Sequence, residues 1–170
     1  MVEPINRSQF LRGDLRGENL PVRPPWSVAE SMFVERCNRC GDCLTACEQR
    51  ILQKGSGGFP EVNFSQGPCT FCGACVKSCA KDALAFHLDT EHPPWSLSIE
   101  INQACLSQLA VVCRVCGERC DGSAIRFRLQ TGGRAIPEVD EDLCTGCGEC
   151  VGACPTQAIR IRPVRQVRAA

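Results

Sequence analysis

Cysteine is the residue type in this chain with the clearest chemistry. The 170 residues include 16 cysteines, which fall into four runs with none left over. The members are Cys37, Cys40, Cys43 and Cys47 (run 1), Cys69, Cys72, Cys75 and Cys79 (run 2), Cys105, Cys113, Cys116 and Cys120 (run 3), and Cys144, Cys147, Cys150 and Cys154 (run 4). In runs 1, 2 and 4 three cysteines stand two residues apart and the fourth follows after three, a spacing in which three thiolates bind one [4Fe–4S] cluster and the fourth binds another. The sequence therefore predicts four [4Fe–4S] clusters with all sixteen cysteines as metal ligands.

Two other uses of cysteine fit the pattern less well. A structural zinc site takes four ligands from two CxxC pairs that a longer stretch separates, whereas each run here places three ligands in one loop. A disulfide framework belongs to an oxidising compartment, and no apolar signal segment is recognisable near the first residue. Both readings are disfavoured on spacing and context.

Run 3 departs from the regular spacing, because Cys105 precedes Cys113 by eight positions instead of three. The intervening residues 106–112 could form a half-turn or a helix. If Cys105 is not a ligand, this site would hold a [3Fe–4S] cluster or a labile iron, so its completion as a [4Fe–4S] site stays open.

Glycines accompany the cysteine runs. A residue without Cβ adopts positive φ and lets the backbone approach the inorganic sulfides, which a tight loop around a cluster requires. We expect this of Gly41, Gly73, Gly117, Gly146 and Gly148.

A repeat in the sequence shows how the runs are organised. Pro-Pro-Trp-Ser occurs at 24–27 and again at 93–96, ahead of runs 1 and 3, and a Gly-Gly segment followed by Pro-Glu-Val lies at 57–62 and at 132–139, between the two runs of each pair. The repeating unit is thus a pair of runs.

The repeat predicts an α+β protein of two tandem bacterial ferredoxin-like modules, each with two [4Fe–4S] cluster sites. Each module follows the order strand, cluster loop, helix, hairpin, cluster loop, helix, strand, with helices of two to three turns after the third cysteines. In the second module the strand candidates are 96–101, 125–129, 136–139 and 159–163. The expected domains are an N-terminal arm with a short helix (1–28), module 1 (29–92), module 2 (93–163) and a basic tail (164–170).

The tandem arrangement assigns the ligands. Because the fourth cysteine of each run serves the partner run, the expected sets are Cys37, Cys40, Cys43 and Cys79; Cys69, Cys72, Cys75 and Cys47; Cys105, Cys113, Cys116 and Cys154; and Cys144, Cys147, Cys150 and Cys120. A nested alternative pairs run 1 with run 4 and run 2 with run 3. The duplicated flanks favour the tandem pairing.

The remaining composition excludes several functions. The two histidines, His87 and His92, lie near the expected turn between modules, and no nucleophile set, phosphate loop or supported carboxylate pair accompanies them, so the chain is not predicted to be an enzyme. Nucleic acid is not an expected partner, because no aromatic residues interleave with the arginines. No apolar stretch of membrane-spanning length occurs either. Formal charge is zero, but four clusters with their thiolates would bring it to about −8.

Several segments outside the cysteines resemble a known family. Arg23-Pro24-Pro25-Trp26-Ser27 before run 1, residues 51–55 and 57–64 after it, and the opening of run 3 at Ala104-Cys105-Leu106 are similar to NapF, the ferredoxin-type protein of periplasmic nitrate reductase systems. The likeness covers nearly the whole chain, including the irregular third run.

The resemblance implies a cytoplasmic accessory protein. Such a protein binds the precursor of the catalytic subunit of periplasmic nitrate reductase and aids an iron–sulfur or redox step of its maturation before export. Residues 6–12 keep Phe10-Leu11 of the family's twin-arginine-like sequence but have Ser8 in place of a second arginine, and no apolar core follows. The alternative is a polyferredoxin-type electron-transfer protein that feeds a reductase.

Overall fold

The computed structural model describes residues 20–86, 94–132 and 134–164. The short helix expected in the N-terminal arm, both histidines and nearly all of the basic tail lie outside these residues. Among the described residues no helix is long and apolar enough to cross a membrane.

The first half of the chain builds a small unit around one hairpin. Helix α1 (Glu30–Arg36) precedes run 1, and α2 (Asp42–Ala46) carries its third cysteine. Strands β1 (Leu52–Lys54) and β2 (Pro60–Val62) pair antiparallel across a 3-10 turn at Ser56–Gly58, and α3 (Ala74–Lys77) lies within run 2. The outer strands are reduced to one antiparallel bridge between Ser27 and Leu84.

The second half has a similar order with longer strands, but residues 102–114 form no helix corresponding to α1. The elements are β3 (Leu97–Ile101), α4 (Val115–Glu118), β4 (Ile125–Leu129), β5 (Ala135–Val139), α5 (Glu149–Ala153) and β6 (Ile159–Pro163). The outer strands β3 and β6 pair antiparallel, with Ile99 opposite Ile161, and β4 pairs antiparallel with β5 as a hairpin. Mixed helix and sheet is thus confirmed, and the four expected strands of this half lie within one residue of their predicted bounds.

The expected helix lengths were wrong. The four helices of the cysteine runs span four or five residues, little more than one turn, and each begins one residue before the third cysteine of its run. Three of them start directly after a glycine in left-handed conformation: Gly41, Gly73 and Gly148. In runs 1 and 4 the fourth cysteine directly follows the helix in an extended conformation, whereas in runs 2 and 3 the helix ends two residues before the fourth cysteine. In run 1, for example, Cys47 is extended at φ −81° and ψ 102°.

Gly117 does not have the positive φ that we expected of the glycines beside the cysteine runs. It lies inside α4 without positive φ, and α4 follows Arg114 instead of a left-handed glycine. A Cβ at Gly117 would meet the Phe127 ring at 2.7 Å and the Ile125 carbonyl oxygen at 3.2 Å. The absence of a side chain here allows helix α4 to pack closely against β4.

Each half has its own buried cluster. In the first, Phe33, Ile51, Val76 and Leu84 pack together with Cys75, and Phe33 is completely buried. In the second, Ile125 and Ile159 pack with Cys150. Both cores are small and include cysteine, so the side chains around the cysteine runs are also those that hold the fold.

Candidate iron–sulfur sites

The run 1 site surrounds a small cavity. Cys37, Cys40, Cys43 and Cys79 all line this space, whose volume is about 60 Å³. Burial raises the pKa of the Cys43 thiol to about 11, and charge repulsion from Cys37, Cys40 and Cys79 adds to the effect. The four cysteines of the first expected set thus converge, with Cys79 coming from the end of run 2.

Run 2 gathers its own cysteines around the last cysteine of run 1. Burial raises the pKa of Cys69 to about 11, and Cys47 and Cys72 raise it further by charge repulsion. Burial likewise raises the pKa of Cys75 to about 12, with repulsion from Cys69, Cys43 and Cys72. Because Cys43 also lies close to Cys75, the run 1 and run 2 sites are neighbours.

Run 4 shows the same arrangement with Cys120. Burial raises the pKa of Cys150 to about 12, and repulsion from Cys147, Cys144, Cys116 and Cys120 adds to it. The pKa of Cys144 is raised as well, first by burial and then by Cys120 and Cys147, against a lowering hydrogen bond from the Gly146 amide.

Run 3 is brought together despite its long first interval. Burial raises the pKa of Cys116 to about 11, and the largest charge repulsion on it comes from Cys105, followed by Cys113. The segment between Cys105 and Cys113 is a series of turns and not a helix. The Val111 amide donates to the Leu106 carbonyl at 2.9 Å, and the buried Ser107 hydroxyl donates to the Ala135 carbonyl of β5. These bonds fold the extra residues aside and keep Cys105 beside its run.

Cys154, the remaining member of the run 3 set, is held by hydrogen bonds. Burial alone would raise its pKa, but the Ala158 amide at 3.3 Å and the Thr156 hydroxyl lower it below the ordinary value. Comparable amide bonds reach Cys69 from Phe71 at 3.4 Å and Cys120 from Ala124 at 3.3 Å. Such N–H···S bonds stabilise negative charge on sulfur and tune an iron–sulfur centre.

The donor set fits iron–sulfur clusters. Buried, mutually repelling thiols favour the protonated form, so a group of thiolates persists in this setting only around a positive metal centre. All convergent donors are sulfur, which is the ligand type of iron–sulfur clusters. In the described part of the chain, no three His, Cys, Asp or Glu side chains form a group that could hold a single metal ion.

Aromatic residues that the sequence reasoning did not single out as functional lie between the two halves. Phe71, inside run 2, stacks edge-on against Trp95 with ring centroids 5.8 Å apart, and the Trp95 indole donates to the Thr145 carbonyl inside run 4 at 3.0 Å. The Cys69 amide donates to the Cys147 carbonyl at 2.7 Å. The available signal was the pair of Pro-Pro-Trp-Ser segments in a chain with only two tryptophans.

Known families account for most of the cysteine runs. Residues 36–83 match the family model of the 4Fe-4S dicluster domain, and residues 137–160 match that of the 4Fe-4S binding domain. The first range contains runs 1 and 2, and the second contains run 4.

Curated relatives extend the similarity to nearly the full length. The ferredoxin-type protein NapF of Haemophilus influenzae is 48% identical over 97% of this chain and 98% of its own. NapF of Escherichia coli K12 is 40% identical over 91% and 92%, respectively. The ferredoxin-type protein NapG of Haemophilus influenzae is more distant, at 32% identity over 88% of this chain and 61% of its own.

Proposed function

Because this chain belongs to the family of ferredoxin-type NapF proteins, we propose that it binds the cytoplasmic precursor of the periplasmic nitrate reductase catalytic subunit and aids its maturation before export. The observation that carries the proposal is the 48% identity to a NapF protein over almost the whole of both chains. The protein acts as an iron–sulfur accessory factor in the cytoplasm and not as an enzyme.

We further propose that it carries four [4Fe–4S] clusters in two tandem modules, residues 29–92 and 93–163. The convergence of Cys79 on run 1, of Cys47 on run 2 and of Cys120 on run 4 supports exchange of the fourth ligand within each pair of runs. The proximity of Cys105 and Cys113 to Cys116 supports Cys105 as a ligand of the run 3 site. The proposed ligands are those of the four tandem sets given above, all sixteen cysteines.

When bound, such clusters accept and donate single electrons. The chain's own residues hold the thiolates, donate amide hydrogen bonds to them and screen them with a small apolar shell. Cys40 and Cys72 are exposed, so runs 1 and 2 reach the surface where a client protein can approach. These properties suit a redox step on a bound client.

Transfer of electrons to a reductase without any role in maturation is the second candidate. The hydrogen-bonded contact between runs 2 and 4 favours this electron-transfer function, because it brings together the proposed cluster sites of the two halves. In the absence of this protein, the first function predicts a reductase that has not matured, whereas the second predicts a mature reductase that receives no electrons.

The first experiment is an anaerobic pull-down from cytoplasm with the tagged holo protein as bait. We expect it to capture the unexported catalytic subunit, and we expect a Cys144→Ser, Cys147→Ser, Cys150→Ser variant to lose that capture. Arg128→Lys, on the exposed face of the β4–β5 hairpin, is the matched control that should capture as the parent does. Absence of the precursor from the bait that keeps its clusters would refute the maturation proposal.

The second experiment separates the two candidates. In cells without this protein, nitrate reductase is assayed in extracts with an artificial electron donor. Maturation predicts reductase that stays inactive with that donor, whereas simple electron delivery predicts reductase of normal activity.

A further inference from the structure

We propose that the cluster sites of runs 2 and 4 are the neighbouring pair across the two modules, so that the four sites form one chain in the order run 1, run 2, run 4, run 3. This inference rests on the proposed cluster sites. It differs from the order of the runs in the sequence, where run 3 follows run 2.

The backbone makes the closest connection. The amide of Cys69, the first ligand of the run 2 set, donates a 2.7 Å hydrogen bond to the carbonyl of Cys147, a ligand of the run 4 set. Since both residues are proposed ligands, this bond joins the two cluster loops without an intervening residue.

Aromatic side chains seal the same junction. Trp95 lies between Phe71 of the run 2 loop and Phe64, with ring centroids 5.8 and 5.7 Å away. The run 4 loop fits beneath these rings because it has glycine at two places: a Cβ at Gly146 would come within 2.6 Å of the Trp95 indole nitrogen, and one at Gly148 would overlap the Phe64 ring. Phe64 is only 6% exposed, so the junction is a packed contact.

Within each half, the neighbours of the cysteines fix the rest of the order. Cys43 of run 1 lies beside Cys75 of run 2, and Cys116 of run 3 lies beside Cys150 of run 4. Runs 1 and 3 are therefore the two ends. With clusters bound, an electron crossing between modules would pass between the run 2 and run 4 sites, and one site would lose the single electron that the other gains.

The test measures magnetic coupling between sites. Aspartate in place of the second ligand of a run binds iron weakly, which favours a [3Fe–4S] cluster that is paramagnetic when oxidised, while intact oxidised [4Fe–4S] sites are diamagnetic. Each double variant places one such label in each half. The four variants are Cys72→Asp with Cys147→Asp, Cys72→Asp with Cys113→Asp, Cys40→Asp with Cys147→Asp, and Cys40→Asp with Cys113→Asp. Because dipolar coupling falls with the cube of the separation, pulsed electron paramagnetic resonance should give the strongest coupling for the run 2 and run 4 pair. Stronger coupling in any other cross-module pair would overturn the order.

Single variants decide the matter if a double variant loses its clusters. The indole N–H resonance of Trp95, assigned with Trp95→Phe, should gain broadening from a label at run 2 (Cys72→Asp) and from one at run 4 (Cys147→Asp). Labels at Cys40 and Cys113 are the controls and should broaden it less. Broadening by the run 1 or run 3 label that equals or exceeds that of the run 2 label would refute the junction.

Iron and sulfide analysis of the parent protein keeps the two proposals apart. A parent without iron–sulfur clusters would overturn the proposed cluster sites and, with them, this inference. A parent with clusters but a different coupling pattern would overturn the order alone.

Discussion

Replacing Gly148 tests the packing of one half of the molecule on the cluster loop of the other. Gly148 has φ +82° at the start of α5, and its missing Cβ leaves room for the buried Phe64 ring. Gly132 at the tip of the second hairpin has nearly the same φ, +81°, but nothing lies within 4 Å of where its Cβ would be. The pair therefore separates backbone strain from the contact.

The structure sets the size of each effect. Left-handed conformation costs an alanine about 1–2 kcal/mol, which is the whole expected loss of stability for Gly132→Ala. Gly148→Ala adds an overpacked contact worth about 1–3 kcal/mol. At about 2–4 °C per kcal/mol for a chain of this size, Gly148→Ala should unfold about 2–12 °C below Gly132→Ala.

The assay is anaerobic thermal unfolding of the holo proteins at one scan rate, followed by far-ultraviolet circular dichroism and by the visible absorption of the clusters. In a double-mutant cycle, Phe64→Ala should destabilise the Gly148→Ala variant less than it destabilises the parent, because it removes the ring that the new Cβ contacts. Equal destabilisation by the two glycine substitutions, with no coupling to Phe64, would refute the interface described above.

Two further substitutions probe residues outside the cysteines. The Arg23 side chain is 9% exposed, and its guanidinium donates to the Glu30 carboxylate at 2.7 and 3.0 Å and to the Pro60 carbonyl at 3.1 Å. In denaturant unfolding of the holo protein, Arg23→Lys should therefore cost about 1–3 kcal/mol of stability, whereas Arg128→Lys, at a side chain that is 61% exposed, should cost about 0–1 kcal/mol. Similar losses of stability for both variants would contradict this account. Ser107→Ala removes the buried hydrogen bond to the Ala135 carbonyl, so we expect a loss of about 1 kcal/mol of stability and faster release of iron to a chelator. The control is Ser98→Ala on β3, whose hydroxyl makes only a long hydrogen bond of 3.5 Å. It should leave the rate of iron release unchanged. Unchanged iron release by Ser107→Ala would show that the turns between Cys105 and Cys113 do not hold Cys105 in place.

The sequence predicted the strands of the second half well. The alternation of apolar residues and arginine at 125–129 and 159–163 matched β4 and β6 to the residue, because those strands bury one face against the cysteine-containing core. In the first half the outer pair shrinks to the bridge between Ser27 and Leu84, because helix α1 begins at Glu30, three residues after Ser27, and leaves no room for a longer strand.

Helix length was harder to predict from periodicity. Cysteines three positions apart would lie on one face of a helix, so their spacing is compatible with a longer helix. The fourth cysteine must lie outside the helix to reach a neighbouring site, and the helices therefore end after four or five residues. Helix α1 was not predicted either. Its one fully buried residue is Phe33, which packs against Phe59 and beneath the Arg23 guanidinium, and such long-range contacts leave no local pattern.

The junction between runs 2 and 4 illustrates the limit of sequence reasoning at the site itself. Spacing identified the cysteines and the duplicated flanks paired the runs, yet neither states which runs face each other across the modules. Which runs face each other depends on the packing of Phe64 and Trp95 against two glycines of run 4, and only the three-dimensional structure shows this packing.

Mössbauer spectroscopy with iron and sulfide analysis of the anaerobically purified protein tests the central claim most directly, because every proposed role depends on occupied cluster sites. Sixteen cysteines in four complete sets predict four [4Fe–4S] clusters, and thus about sixteen iron and sixteen sulfide ions per chain. About twelve iron ions in three [4Fe–4S] clusters, or a [3Fe–4S] signal in the unmodified protein, would show that run 3 is incomplete. Zinc in place of iron, or two clusters only, would contradict the account as a whole.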